Sequence, residues 1–166
     1  IMVSRRKKTD GLANKINSAF SKKAYLSWPQ TTNNLKSDKY KVIGNLTRQS
    51  IFKKAAKDTK IQKFLNSSDI LIFVTGGNQG SHFINNLIFV ITPQLSSYQI
   101  IHQVGTANFK GDLDKAKKTK RANYLSLDYI SGDNIGAIFN RADLIISRSG
   151  ANTVWDLAIL AKVAIL

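Results

Sequence analysis

The chain has 166 residues, 43% of them hydrophobic, with no cysteine and a formal net charge of +15. That length holds one domain, or one domain and part of another, and the missing thiols exclude disulfides and thiolate metal sites. No apolar run reaches the roughly 20 residues that a membrane-spanning helix needs. The opening IMVSRRKKTDG also lacks the order of features of a signal peptide, so neither element is expected.

The charge is unevenly spread. Residues 1–63 hold 16 Lys/Arg against 3 Asp, whereas residues 64–166 hold 9 against 7. An anionic membrane surface, a phosphorylated substrate or nucleic acid each fits such a basic front third. Taken singly, the runs at residues 5–8 and 53–63 read as a Lys-rich solvated surface. All ten acids are Asp, and Glu is absent.

In chain order, Leu12, Ile16, Ala19 and Phe20 have helical spacing. Residues 24–27 and 40–43 read as short strands, closed by Trp28-Pro29 and Gly44-Asn45. Residues 51–56 and 61–65 suggest two short basic helices. From residue 70 the pattern becomes regular: strands over 70–74, 98–102, 124–127, 144–146 and 163–166, and helices over 81–91, 113–118, 134–139 and 154–161. Alternation of this kind predicts an α/β fold with a parallel sheet, whose ligands bind at the carboxyl ends of the strands. The abrupt front and the stop inside a strand lead us to expect a fragment, with a domain boundary at residues 44–48.

Two turns lie at such carboxyl ends. Gly76-Gly77-Asn78-Gln79-Gly80 joins a strand to a helix. It does not fit G-x-G-x-x-G and lacks the Lys-Ser/Thr of a Walker loop, which argues against nicotinamide, flavin and P-loop chemistry. From the residues alone, a tight connection with no ligand fits this turn equally well. In residues 142–156, ADLIISRSGANTVWD, a strand delivers the chain into Ser147-Arg148-Ser149-Gly150 and then a helix carrying Val154, Leu157, Ala158 and Ala161. The free N–H groups and dipole of such a helix start suit a phosphate.

Together these segments resemble the MurG family of bacterial peptidoglycan glycosyltransferases. Gly11-Leu12-Ala13-Asn14-Lys15 is similar to the family's GLAN segment, Gly44-Asn45-Leu46-Thr47-Arg48 to its GNPVR-type linker, residues 74–80 to its GGSQG loop, and residues 147–156 to its SRSGALTVSE block. Tyr129-Ile130 ahead of Ala142-Asp143 is similar to its FI…AD spacing. The resemblance covers most of the chain from Gly11 on, and it is the ordered set that is specific.

The resemblance implies a GT-B type glycosyltransferase: the Rossmann-like parallel sheet of the C-terminal, donor-binding lobe (residues 47–166, truncated) plus the tail of the N-terminal, acceptor lobe (residues 1–46). The implied reaction moves N-acetylglucosamine from UDP-N-acetylglucosamine to undecaprenyl-pyrophosphoryl-N-acetylmuramyl-pentapeptide, with inversion. Position by position, Asn78 with Gly77 and Gln79 is implied to contact the diphosphate, and Arg48 to face the nucleotide. Ile130 is implied to bind uracil through its backbone. Ala151, Asn152 and Thr153 are implied to present backbone N–H groups and a hydroxyl at the helix start. Asp156, where the family has Glu, is implied to hold the ribose hydroxyls. The residues alone read differently: Arg48 as a surface arginine near a hinge, Ile130 as a core aliphatic, Thr153 as a capping residue.

Lys7, within Arg5-Arg6-Lys7-Lys8, departs from the family's Asn or Asp. No catalytic residue is assigned to this chain, because the base belongs to the missing N-terminal lobe. His82 and His102 are read as structural or solvent-facing, and no metal or cofactor is expected. The expected location is peripheral, on the cytoplasmic face of the cell membrane, with Arg5, Arg6, Lys7, Lys8, Lys22 and Lys23 towards the anionic lipid surface. Two alternatives remain at this point. One is a donor-binding subunit of a split N-acetylglucosaminyltransferase, as in the eukaryotic dolichol pathway. The other is a basic nucleic-acid-binding module, supported by charge alone, because the basic block offers few aromatics to stack bases. Nucleic acid is therefore not expected as a partner.

Overall fold

The computed structural model describes residues 2–5, 16–17, 20–29 and 38–166. Lys7, the segment Gly11-Leu12-Ala13-Asn14-Lys15 and most of the helix expected over residues 11–20 lie outside them. The chain divides into two compact units, Ile1–Thr47 and Arg48–Leu166.

The first unit carries a parallel three-stranded sheet in the order β1 (Met2–Arg5), β2 (Lys23–Leu26), β3 (Tyr40–Val42). Strand β1 falls where the sequence reads only a short apolar start running into charge. In β2, Ala24 and Leu26 are fully buried while Lys23 is exposed, the period-2 alternation of a half-covered strand.

The second unit is built on a five-stranded, wholly parallel sheet. Its strands are β4 (Leu71–Thr75), β5 (Gln99–Gln103), β6 (Tyr124–Leu127), β7 (Leu144–Ser147) and β8 (Ala164–Ile165), in the spatial order β6-β5-β4-β7-β8. Helix α1 (Thr59–Leu65) leads into β4, and four helices connect the strands: α2 (His82–Ile91), α3 (Asp112–Lys118), α4 (Gly132–Arg141) and α5 (Ala151–Ile159). Strand β4 is buried along its whole length, as a central parallel strand must be. Leu71 and Phe73 enter one core with Ile51, Ile61, Ile138, Phe139, Ile145 and Leu157, and the Phe73 and Phe139 rings meet edge-on at 5.4 Å. Ile72 and Val74 enter the other core with Ile84, Ile88, Phe89, Ile100 and Val104. Thus α1, α4 and α5 cover one face of the sheet, and α2 and α3 cover the other.

Two expectations need correction. Residues 51–56 do not form a helix: a 3-10 turn runs over Gln49–Phe52 and the chain is extended at Lys53. The cause is competition for its carbonyls, since Asn140 Nδ2 on α4 donates to Ile51 O at 2.8 Å and Lys53 O at 3.3 Å. The last helix starts at Ala151 rather than Val154 and ends at Ile159; Ala161 has already turned to φ 48°.

A buried polar chain joins β5, β6, α2 and α3. Asn85 Nδ2 donates to Val104 O (3.0 Å) and to Asp112 Oδ2 (2.8 Å), both pure acceptors. Its Oδ1 must therefore accept, so His102 Nε2 carries the proton (3.0 Å) and His102 Nδ1 accepts from Tyr124 OH (2.8 Å). Asp112 Oδ1 meets His82 Nδ1 at 2.9 Å. Both histidines are thus structural, His102 fully buried and His82 partly exposed.

The loop after β4 is held by backbone-to-backbone packing. Gly80 sits at φ +91°, and a Cβ there would overlap the Val104 carbonyl oxygen. Gly77, at φ +86°, faces open space.

Two measurements check these points. Burial pushes His102 down from 6.5 to about 4. Between these values the unfolded chain binds a proton that the folded chain rejects. Stability is therefore intact above pH 6.5 and falls as pH drops towards 4, by about 3 kcal/mol from this group. Urea unfolding of His102→Leu should show a lower plateau, because Asn85 and Tyr124 lose a partner, and a flatter slope across the same window. In thermal unfolding, Gly80→Ala should cost more than about 2 kcal/mol, whereas Gly77→Ala should cost only the left-handed backbone penalty of about 1–2 kcal/mol.

Candidate functional site

The strand order switches direction between β4 and β7: the chain proceeds from β4 to β5 and β6 on one side, and returns to β7 and β8 on the other. At such a switch the loops leaving the two strands diverge and open a crevice at the carboxyl edge. Here that crevice is a cleft of about 270 Å³. It is lined by Gly76 and Gly77 after β4, by Ser147, Arg148, Ser149 and Gly150 after β7, and by Thr153 on α5.

Helix α5 starts in this cleft. Its cap is Gly150, whose N–H is spent on Arg148 O (2.7 Å), and no side chain caps the first turn. The N–H groups of Ala151, Asn152 and Thr153 precede the first intrahelical donor, Val154, which bonds to Gly150 O. Thr153 is therefore not the capping residue that its position alone suggested. Its side chain faces the cleft, beside a helix start that favours negative charge.

A second cleft of about 210 Å³ adjoins the first and shares Gly77 and Thr153 with it. Arg48, Asn78, Ile130 and Asn152 line it, with Thr75, Gln103, Ile135 and Phe139 at its floor. Ile130 belongs to the buried core, as its aliphatic side chain suggests, and also borders this cleft. Thr75 Oγ1 donates to Gln103 Oε1 (2.9 Å) and accepts from Gly77 N (3.0 Å). This buried pair fixes where the Gly77 loop departs from the sheet.

Arg48 and Asp156 meet each other. Arg48 Nη2 donates to Asp156 Oδ2 at 2.6 Å, with the arginine side chain 50% exposed and the carboxylate only 5% exposed. Arg48 is thus not an isolated surface cation: it is the residue before the 3-10 turn Gln49–Phe52 and the partner of a buried acid on α5. Of the expected residues, the structure gathers Arg48, Gly77, Asn78, Ile130, Asn152 and Thr153 around the two clefts, with Asp156 joined through Arg48. Gln79 and Ala151 line neither cleft. Among the described residues, no three His, Asp or Cys side chains are placed to hold a metal ion.

Sequence reasoning missed Arg148 as a site residue, although it is the one cation within the stretch Ser147-Arg148-Ser149-Gly150 that it singled out. It also missed Thr75 and Gln103. Their only signal is a polar residue ending each of two apolar strands.

Residues 71–166 match the model of the glycosyltransferase family 28 C-terminal domain. Similar proteins include the UDP-N-acetylglucosamine–N-acetylmuramyl-(pentapeptide) pyrophosphoryl-undecaprenol N-acetylglucosamine transferases of two clostridia. That of Clostridium kluyveri is 33% identical over 156 residues, covering 93% of this chain and 42% of the relative. That of Clostridium perfringens is 34% identical over 160 residues, covering 95% and 43%. The crystal structure of Acinetobacter baumannii MurG has the same fold, with a TM-score of 0.56 at 21% identity over 98% of this chain and 44% of that one. The chain thus spans less than half the length of the curated relatives it matches. The expected fold class, the parallel sheet of a GT-B C-terminal lobe, is borne out. By its sheet, by the crevice at the sheet's switch point and by the match over residues 71–166, the chain belongs to glycosyltransferase family 28 and carries that family's C-terminal domain.

Proposed function

We propose that this chain is the donor-binding part of an N-acetylglucosaminyltransferase of peptidoglycan synthesis. The acceptor is undecaprenyl-pyrophosphoryl-N-acetylmuramyl-pentapeptide and the place of work is the cytoplasmic face of the membrane. The observation that carries the reading is the pair of joined clefts. One side is a helix start with uncapped N–H groups and Arg148; the other holds Asn78, Ile130 and Arg48, with Asp156 behind Arg48 as its ion-pair partner. The names of the clostridial relatives support the substrates.

In this reading the UDP diphosphate lies in the first cleft against the α5 N-terminus, Arg148 and the Gly77-Asn78-Gln79 turn. The uracil packs at Ile130, and the ribose hydroxyls reach Asp156. The acceptor's 4-hydroxyl attacks the anomeric carbon from the face opposite the diphosphate. The new C–O bond forms as the bond to phosphate breaks, its electron pair passes to the diphosphate oxygen, and the hydroxyl proton goes to a base outside these residues. Fixed N–H donors and a guanidinium stabilise that developing charge without reorganising. Asp is one methylene shorter than the Glu of the resemblance. Arg48 holds its carboxylate in place, so ribose and guanidinium share it.

The distinguishing test is calorimetric titration with UDP and with its 2′-deoxy analogue. The wild-type chain is expected to prefer UDP by about 10–100-fold, the worth of a hydrogen bond to a charged group. Asp156→Ala should erase that preference while still binding the diphosphate. Arg148→Ala should weaken UDP and its deoxy analogue alike. A wild-type chain that treats the two nucleotides equally would remove Asp156 from the ribose site, and absence of binding to either would remove the donor reading itself.

A further inference from the structure

Three polar side chains lie side by side where the larger sheet ends. Register pairs Gln103 on β5 with Thr75 on β4, and Thr75 with Ser147 on β7. They are 3%, 5% and 4% exposed, so none of them is there to meet bulk solvent. Ser147 Oγ donates to Arg148 O, and Thr75 Oγ1 is spent on Gln103 Oε1 and Gly77 N. Gln103 is different. Its Oε1 is occupied, but among the described residues its Nε2 has no acceptor. That nitrogen is not sealed inside the protein either: among the described residues, the sealed polar side-chain atom without a partner is Ser27 Oγ. The opening that Gln103 borders is the second cleft, so Nε2 presents its hydrogens there.

Thr75 fixes which way round the amide sits. Its hydroxyl accepts from Gly77 N at 3.0 Å and needs an acceptor for its own hydrogen, which Gln103 Oε1 supplies at 2.9 Å. Turned over, the amide would set Nε2 against that hydroxyl, and the hydroxyl hydrogen would lose its acceptor. Asn78 and Asn152 also border the cleft, but both are exposed, and an exposed amide turns to donate or to accept as its ligand requires. Gln103 is held as a donor only. Beside it the cleft is walled by Ile130, Ile135 and Phe139. A flat ring with an acceptor on its edge fits that wall better than a phosphate, which would exchange water for hydrocarbon. The cation lining this cleft, Arg48, is already paired with Asp156.

We infer that Gln103 selects the base of the nucleotide: its Nε2 donates to a ring carbonyl oxygen, and Thr75 keeps the amide from turning to accept instead. This rests on the uridine reading of the cleft given above and adds the choice of base to it. The consequence is a preference for uracil over cytosine, which carries an amino group where uracil carries its 4-carbonyl oxygen. An amino group at that point sets donor against donor in a buried place, and neither finds an acceptor. Gln103 touches the ligand in this account, and Thr75 is a positioning residue that acts through it.

The test is calorimetric titration of the full chain with UDP and with CDP. The wild-type chain is expected to bind UDP about 10–100-fold more tightly. Gln103→Met keeps the length of the side chain without the amide, and the preference should fall at least about fivefold. Thr75→Val frees the amide to turn and should lower the preference by a similar factor, whereas Thr75→Ser, which keeps the hydroxyl, should retain it. The ratio of the two affinities is the readout, because a loosened Gly77 turn weakens both nucleotides alike. A wild-type chain that binds UDP and CDP equally overturns the inference, as does a Gln103→Met variant that keeps the wild-type ratio; UDP binding in either case leaves the donor reading standing. A Thr75→Val variant that keeps the ratio while Gln103→Met loses it overturns the part given to Thr75. A chain that binds neither nucleotide removes the donor reading, and this inference with it.

Discussion

A parallel sheet cannot be closed by hairpins, and every strand of the larger unit must return by a crossover. When the crossovers leave β4 and β7 towards opposite flanks, no segment is available to fill the space above their carboxyl ends. The rest of the molecule depends on that constraint. It leaves a gap between the loops after the two strands, it puts the start of α5 at the gap's edge, and it brings Arg48 within reach of Asp156 although 108 positions separate them in sequence. The positive end of a helix and two arginines then line two adjoining clefts, and the Asp156 carboxylate beside them is already paired with Arg48.

The sheet was legible because its central strands are short apolar runs ended by a polar residue, Leu71-Ile72-Phe73-Val74 before Thr75 and Leu144-Ile145-Ile146 before Ser147. The crevice was legible for the same reason, since both of its turns announce themselves after such runs. What escaped were features fixed by distant partners. Residues 51–56 have helical spacing, but Asn140, some ninety positions away, takes their carbonyls. Helix α5 begins three residues before its first large apolar side chain, because its opening turn faces a cleft rather than a core. The pairing of Arg48 with Asp156 has no local signature at all; each looked like a separate ligand-facing residue. Thr75 and Gln103 look like ordinary strand ends until the register sets them side by side. The roles read from family resemblance and the placement read from geometry therefore answer different questions about the same residues.

Polar groups inside the larger unit are arranged so that each has one assignable role. Asn85 is the pivot, since both of its amide hydrogens point at obligate acceptors. From that single orientation follow the tautomer of His102, the direction of the Tyr124 hydroxyl and the anchoring of α3 through Asp112. The network stiffens the flank covered by α2 and α3, while on the opposite flank the Phe73–Phe139 contact is joined by the Asn140 bonds to Ile51 and Lys53. The crevice lies between these two flanks.

Arg48 is the first residue of the larger compact unit and also one half of the ion pair beside the crevice. The border of the folded unit and the border of the site therefore fall on the same residue. Anyone excising this unit for separate expression faces a hazard that compactness does not reveal. A cut placed one residue too late yields a protein with its sheet and both cores complete, yet with a buried acid on α5 stripped of its counter-ion. Such a domain would keep the fold at lower stability and still be the wrong molecule in which to measure binding.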